Sequence, residues 1–340
     1  MTTPPPLTTA EVRGLRLIAQ RLARSTSAPT LPPPAFGGTL HAVAGHMLAT
    51  QAQNLTAGVA ALARRAGLPA TTEADLAQAG IVRSWSQRGT HHFLAAEDVR
   101  WVTLLCAPRV QAASAKRRGQ LGLTDDDVDT CREALHSAVR QAGTPVSRSE
   151  AYRIFAAAGV DPDGGRGPHM LRHFGGEGVL IQGLRSTDGA RAEDTFVLHD
   201  EVVQKPRDLS GDDALRELAV RYYRSRGPAT VKDLAWWSGL TVRDCRRVTG
   251  LALETSSVTE TTTEDGRTVY LADWQRDVTA AELKDALRTP RDLPAFDEYL
   301  MGYTDRSDIM TPGVAAEVGP TKNGLVHACH VEDGTVTGRS

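Results

Sequence analysis

Cysteine is scarce in this sequence and never closely spaced: Cys106, Cys131, Cys245 and Cys329 lie at long intervals, with no CxxC or CxH pair. That scatter excludes a zinc ribbon and a disulfide framework, both of which need ligands or partners in regular patterns. Long apolar runs are missing too, none approaching the roughly 18–20 residues that span a bilayer. The opening "MTTPPPL", Met1 to Leu7, has neither the basic start nor the apolar stretch of a signal peptide, so the chain is expected in the cytoplasm. Positive charge is not in excess: 39 Lys and Arg stand against 41 Asp and Glu, for a net charge of −2 and a pI near 6.6. A uniformly basic surface is thereby excluded, while local basic faces are not. Phosphate-loop, HExxH, serine-elbow and dinucleotide-binding glycine patterns are all absent, so no nucleotide cofactor, no other cofactor and no metal is expected.

What is present is a 340-residue chain with 41% apolar and 24% charged residues, the balance of an ordinary globular protein. At roughly 100 to 200 residues per domain it has room for two to three units. A first helix is predicted from Thr9 to Arg24, capped by Thr8 or Thr9, followed by the Pro/Gly-rich loop Ser25 to Gly38. Further helices are predicted over about Leu40 to Ala49, Thr56 to Arg65 and Glu73 to Ala79. "GIVRSWSQRGTHHFLA" alternates as a hairpin turning near Gly89, and Ala96 to Cys106 closes the unit as a helix.

The plan then recurs. Helix Asp125 to Ala142, a short helix capped by Ser147 or Ser149 and a third in "GRGPHMLRHFGG" precede the strands "VLIQG" and "TFVLHD", which flank the polar loop Leu184 to Asp194. Helix Asp213 to Arg226, "GPATVKDLAWWSG", "TVRDCRRVTG" and the strands "LALETSSVTE" and "RTVYLA" repeat that order. Three helices and a two-stranded wing make the winged variant of the helix-turn-helix. From about Thr289 the texture becomes that of a small β-rich domain. The expected fold class is α+β and mostly helical, with three tandem winged-helix units (1–110, 111–208 and 209–288) and a C-terminal β-rich domain (289–340).

"TQAQ" (Thr50 to Gln53), "RGTHH" with "AAEDVRWV" (Arg88 to Val102), "RGPATVKDLAWWSGL" (Arg226 to Leu240) and "LPAFDEYLMGYTDRS" (Leu293 to Ser307) resemble the AlkZ/YcaQ-like DNA glycosylase family of winged-helix DNA-binding-domain proteins. The resemblance covers nearly the whole chain. It implies a C-shaped clamp around double-stranded DNA and a catalytic signature of Gln, an apolar residue, then Gln. Gln51, Ala52 and Gln53 match that signature in its AlkZ-like form, whereas YcaQ-like members carry Asp at the third position. Related chains often continue beyond the last strand to a Trp-Arg ending; this one ends "GTVTGRS".

Two neutral amides suit a particular chemistry. A purine alkylated at guanine N7 or adenine N3 already carries positive charge, so it departs as a neutral base without protonation. The enzyme then needs a placed water and dipoles that stabilise the sugar cation. A carboxamide supplies an acceptor oxygen and two N–H donors without titrating. If residues 49–54 were helical, Gln51 and Gln53 would diverge; if extended, they share a face, so this chemistry predicts a helix end or extended turn here. The alternative for the same pair is a structural one, satisfying backbone groups between two helices.

Arg243, Arg246 and Arg247 at i, i+3 and i+4 form one basic face of a recognition helix, and Arg166, His169, Arg172 and His173 a second. Lys116, Arg117 and Arg118 form a basic connection. Each reads either as a set of phosphate contacts or as a solvated face or linker. His92 and Trp85 are candidate site neighbours, His92 otherwise a structural hydrogen bonder and Trp85 otherwise core. Asp297 and Glu298, with Asp305, are expected to be structural, pairing with Arg306.

The reading that follows from the resemblance is a metal-free, monofunctional DNA glycosylase acting as a nucleoid-associated monomer. Its substrates would be cationic alkylpurines, including bulky adducts or interstrand crosslinks, for base excision repair or self-resistance. A non-catalytic winged-helix DNA binder, such as a transcriptional regulator, is the competing reading, and units retained for protein contacts alone are a third.

Overall fold

Short polar side chains start the helices, and they do so where the sequence offers a Ser or Thr followed three residues later by Asp or Glu. Thr8 accepts the Glu11 N–H at 3.1 Å while the Glu11 carboxylate takes the Thr8 N–H at 2.8 Å, opening helix Thr9–Ala19. The same reciprocal box at Thr124 and Asp127 opens Asp125–Ala142, and at Thr230 and Asp233 it opens Val231–Ser238. Each box satisfies two of the orphan donors of a helix N-terminus. Ser147 caps Arg148–Ala157.

The computed structural model describes residues 5–28, 38–186 and 192–340. Part of the predicted loops Ser25 to Gly38 and Leu184 to Asp194, and the start of "MTTPPPL", lie outside the described residues. The chain folds as two compact units, Glu73–Leu209 and the joined segments Met1–Thr72 and Ser210–Ser340.

In the unit of residues 73–209, five strands form an antiparallel run in the order His91–Ala95, Ile81–Trp85, Leu180–Ser186, Glu193–Leu198, Val146–Ser147. Ser84 pairs with His92 and Gln182 with Phe196, which fixes the register. Helices Asp125–Ala142, Arg148–Ala157 and Arg166–Gly175 bury Val128, Leu135, Phe155 and Phe174 with Trp85 and Phe196. Gly175 permits the closest approach, since a Cβ there would stand 2.1 Å from the Trp85 ring.

In the other unit, helices Gly211–Arg226, Val231–Ser238 and Val242–Leu253 precede the hairpin Val258–Thr262 with Thr268–Ala272. Strand Arg291–Leu293 pairs with Cys329–Glu332, which pairs with Thr335–Arg339. Their core joins Leu17 of the first helix to Tyr299, Leu300, Ile309 and Val331.

Four expectations needed correction. The first helix ends at Ala19 and not Arg24, because Arg21 takes a left-handed φ of 57° and the Leu22 and Ala23 N–H groups turn back to the Leu17 carbonyl. The basic connection is not a loop: helices Pro108–Ala115 and Arg118–Leu121 flank Lys116 and Arg117. "LALETSSVTE" is helix through Leu253 and strand only from Val258. The C-terminal region carries helices Glu298–Met301 and Pro312–Val318 beside its strands. Among the described residues no helix is long and apolar enough to cross a membrane, and no group of His, Cys, Asp and Glu could hold a metal ion.

Candidate active site

The "TQAQ" segment is not helical: Thr50–Gln51 is extended and Gln53 lies in a bend. Helix Gly38–Met47 ends, Thr50–Gln51 is a short strand, and Asn54 caps helix Leu55–Ala66 by accepting the Ala57 N–H at 3.1 Å. Leu48 adopts a left-handed φ of 61° at the exit from the first of these helices. Gln51 is 3% exposed, Ala52 is buried, and Gln53 is exposed.

The two carboxamides are not equivalent. The Gln51 side-chain oxygen accepts the Gln53 backbone N–H at 2.7 Å, closing a tight turn, while its own backbone N–H donates to Glu298 Oε1 at 2.9 Å. The Gln53 carboxamide makes no hydrogen bond to any described residue. One amide therefore shapes the segment, and the other is available.

Beneath the segment lies a fully buried ionic frame. Glu298 Oε2 accepts from Arg226 Nε at 3.0 Å, from Arg226 Nη2 at 2.5 Å and from Trp237 Nε1 at 3.1 Å. Arg226 also donates to the Met47 carbonyl at 2.9 Å and the Ala49 carbonyl at 2.7 Å, so one guanidinium caps the helix end and holds the approach to Gln51. Its guanidinium carbon lies 4.4 Å from the Trp237 ring centroid, a cation–π contact. Alongside, Arg65 grips Asp297 with two bonds of 2.8 Å and reaches Gln20 at 2.9 Å. Burial alone would lower the Arg65 guanidinium, but Asp297, Glu298 and Tyr303 together outweigh it and hold the group above its ordinary value. Asp297 and Glu298 thus pair with Arg65 and Arg226. Arg306, their expected partner, instead donates to the Leu300 carbonyl at 2.8 Å and covers the Trp236 ring. Without such partners each of these groups would be an uncompensated polar group in the interior.

His46, in the last turn of helix Gly38–Met47, contacts the Ala19 carbonyl at 2.7 Å, and burial pushes it down to about 3. It is neutral at physiological pH.

Of the basic face on helix Val242–Leu253, Arg243, Arg246 and Arg247 are all exposed. Arg247 forms an ion pair with Asp212, whereas Arg243 and Arg246 have no carboxylate partner among the described residues.

The remaining candidates belong to the unit of residues 73–209. His92 is 1% exposed, and its Nδ1 lies 3.0 Å from Ser86 Oγ and 3.1 Å from the Thr90 carbonyl. Trp85 is 8% exposed and stacks on Phe196 with centroids 6.1 Å apart, a core placement. His91 sits between Arg83 at 3.2 Å and Gln182 at 2.9 Å, and burial, with Arg83 and Arg172 nearby, pushes it to about 3. His169, Arg172 and His173 lie along helix Arg166–Gly175, facing Ser114, Gln111 and Arg118. Arg118 is balanced by Asp125, and Arg166 by Asp161. Lys116 and Arg117 are exposed.

Sequence reasoning did not foresee Arg226, Trp237 and Glu298 as the support of "TQAQ". Their signal was available as charge within otherwise apolar segments, since an Arg or Glu there must be paired when buried.

Residues 44–340 match the model of a family described as DNA glycosylase AlkZ-like, so the protein is a DNA glycosylase. It belongs to the AlkZ-like DNA glycosylase family. In fold it is similar to the DNA glycosylase AlkZ of Streptomyces sahachiroi, with a TM-score of 0.73, 21% identity, and coverage of 98% of this chain and 87% of that one. No curated protein matches.

Proposed function

We propose that this glycosylase hydrolyses the N-glycosidic bond of cationic alkylpurines, N7-alkylguanine foremost, at Gln51 and Gln53. The observation that carries the reading is the extended, anchored turn in which the Gln51 backbone is fixed by Glu298 and the Gln53 carboxamide is left unengaged. As the C1′–N9 bond breaks, its electron pair neutralises the alkylated purine, which leaves without an acid. Gln53 orients the attacking water and turns its carbonyl dipole toward C1′; Gln51 holds the turn and contributes its N–H groups. Water oxygen bonds C1′ and gives its proton to solvent, leaving an abasic site. Preorganised dipoles are effective because they need no reorganisation as charge develops. Neutral amides are weak bases, so unmodified purines, which leave slowly, are spared.

The helix and hairpin orders 125–198 and 211–272 support tandem winged-helix units, and the finer partition 1–110, 111–208, 209–288 and 289–340 is part of this proposal. Exposed Arg243 and Arg246 support a phosphate-contacting role for that helix. Lys116, Arg117, His169 and Arg172 form the second set, with Arg118 and Arg247 already partnered. Bulky N7 adducts and crosslinks, in repair or in self-protection, extend the same chemistry, and a monomer acting in the nucleoid without cofactor suffices for it.

The test is single-turnover excision from a duplex containing one N7-methylguanine, read as alkali-labile abasic sites. Gln53→Ala should lower the rate at saturating protein at least about tenfold, or 1.4 kcal/mol in barrier, with duplex binding retained. Unchanged excision by both Gln53→Ala and Gln51→Ala would reduce "TQAQ" to a structural turn.

A further inference from the structure

Many arginines here have a carboxylate partner, Arg65, Arg118, Arg132 and Arg166 among them. One cluster differs. In the unit of residues 73–209, helix Arg166–Gly175 presents His169 and Arg172 to the corner between helices Pro108–Ala115 and Arg118–Leu121, which carries Ser114 and Arg117. The tip of the hairpin, Arg88 and Gly89, closes a third side: Arg172 Nη2 lies 3.4 Å from the Arg88 carbonyl, and a Cβ on Gly89 would stand 2.4 Å from that same nitrogen.

Neither Arg117 nor Arg172 forms an ion pair among the described residues, and Arg172 Nε is buried without a hydrogen-bond partner. His169 is 9% exposed, with Nε2 buried and unpartnered and Nδ1 3.4 Å from Ser114 Oγ. Burial lowers His169, with Arg118, Arg117 and Arg172 adding to it, and burial followed by Arg117 lowers Arg172. The nearby carboxylates are spoken for: Asp125 pairs with Arg118, and Glu177 with Arg132, 3.3 Å from His173. A partly desolvated Arg172 with an unused donor, beside the like charge of Arg117, is unfavourable alone, and an oxyanion there relieves both deficits.

We propose that Arg117, Arg172 and His169 form a seat for one phosphate of a DNA strand, with Arg172 lying across the hairpin tip where Gly89, at a left-handed φ of 64°, has no side chain to meet it. The seat deepens the DNA-binding part of the proposed function, but its test does not depend on excision. When Ser114 donates to Nδ1, the His169 proton lies on Nε2, so a neutral ring still offers the phosphate a donor.

The experiment measures anisotropy of a labelled, undamaged duplex against KCl from about 50 to 200 mM, where each neutralised phosphate contributes about 0.9 to the logarithmic salt slope. Arg117→Gln, Arg172→Gln, the double variant and Arg140→Gln are compared; Arg140 is exposed on helix Asp125–Ala142 and serves as the control for net charge. For one shared phosphate the double variant loses a slope of about 0.9 and no more. Gly89→Ala, with every charge retained, should weaken binding as Arg172→Gln does. Inorganic phosphate at constant ionic strength should compete with DNA for the native protein and not for the double variant. A double-variant loss near twice that value, losses equal to Arg140→Gln, or full affinity in Gly89→Ala would each overturn the seat. Phosphate stabilising the native protein while all variants bind DNA normally would assign it to free phosphate instead, also overturning the proposal. Unchanged thermal midpoints separate these outcomes from misfolding.

Discussion

Glu298 accepts the backbone N–H of Gln51 at 2.9 Å across 247 residues of sequence, and it does so with the oxygen that Arg226 and Trp237 leave free. A buried carboxylate with four hydrogen bonds is a rigid fixture. The candidate catalytic turn is built on it.

Glu298→Gln keeps the shape of that side chain but leaves the Arg226 charge buried and uncompensated. Breaking a buried pair from one side costs about 3–5 kcal/mol. Urea unfolding should show that loss, and single-turnover excision should slow even where the variant is still folded. A variant as stable as the native protein would mean that the frame relaxes without its charge.

Gly175→Ala would drive a methyl group into the Trp85 ring. Overpacking of this kind costs about 1–3 kcal/mol. Chemical denaturation followed by circular dichroism is the check, and a neutral result would show that Trp85 and Phe196 shift freely.

Acid should destabilise the fold before its carboxylates titrate. His46 and His91 are pushed to about 3 and His173 to about 4, each by burial first. In the unfolded chain such rings protonate near pH 6.5. Between those values the unfolded state binds more protons, so stability falls as pH drops from 6.5, and the loss levels off without recovery below the folded values. The thermal midpoint should be lower at pH 5.5 than at 7.5; an equal or higher midpoint would contradict neutral burial of these rings.

Arg246→Gln should weaken undamaged-duplex binding more than Arg247→Gln, because Asp212 already balances Arg247. Equal losses in a binding titration would show that the Asp212 pair opens on DNA.

Legibility in the sequence followed the range of the interaction. Asp125–Ala142 was readable to the residue because its cap, its periodicity and Gly143 are all local. The same rule shows what was overlooked: "TAAE", Thr279 to Glu282, is a capping box opening helix Ala280–Arg288, and it stood in plain view. Lys116 and Arg117 looked like a flexible linker because charge obscures helical continuity. That "TQAQ" ends a helix and turns was foreseen from its chemistry, but the inequality of its two amides was not, since a turn in which Gln51 bonds the Gln53 backbone leaves no mark on composition. Glu298 could be flagged as structural from sequence and still be matched to the wrong arginine, because neighbours in sequence give no account of partners in space.

That long separation has a consequence for the protein's birth. The turn carrying Gln51 and Gln53 leaves the ribosome early, yet the carboxylate that fixes it follows 247 residues later. At roughly 5–20 residues per second, that is a delay of about 12–50 s. During synthesis the glutamines are present but unanchored, and a chain broken off before Glu298 carries the signature of the enzyme without its mounting.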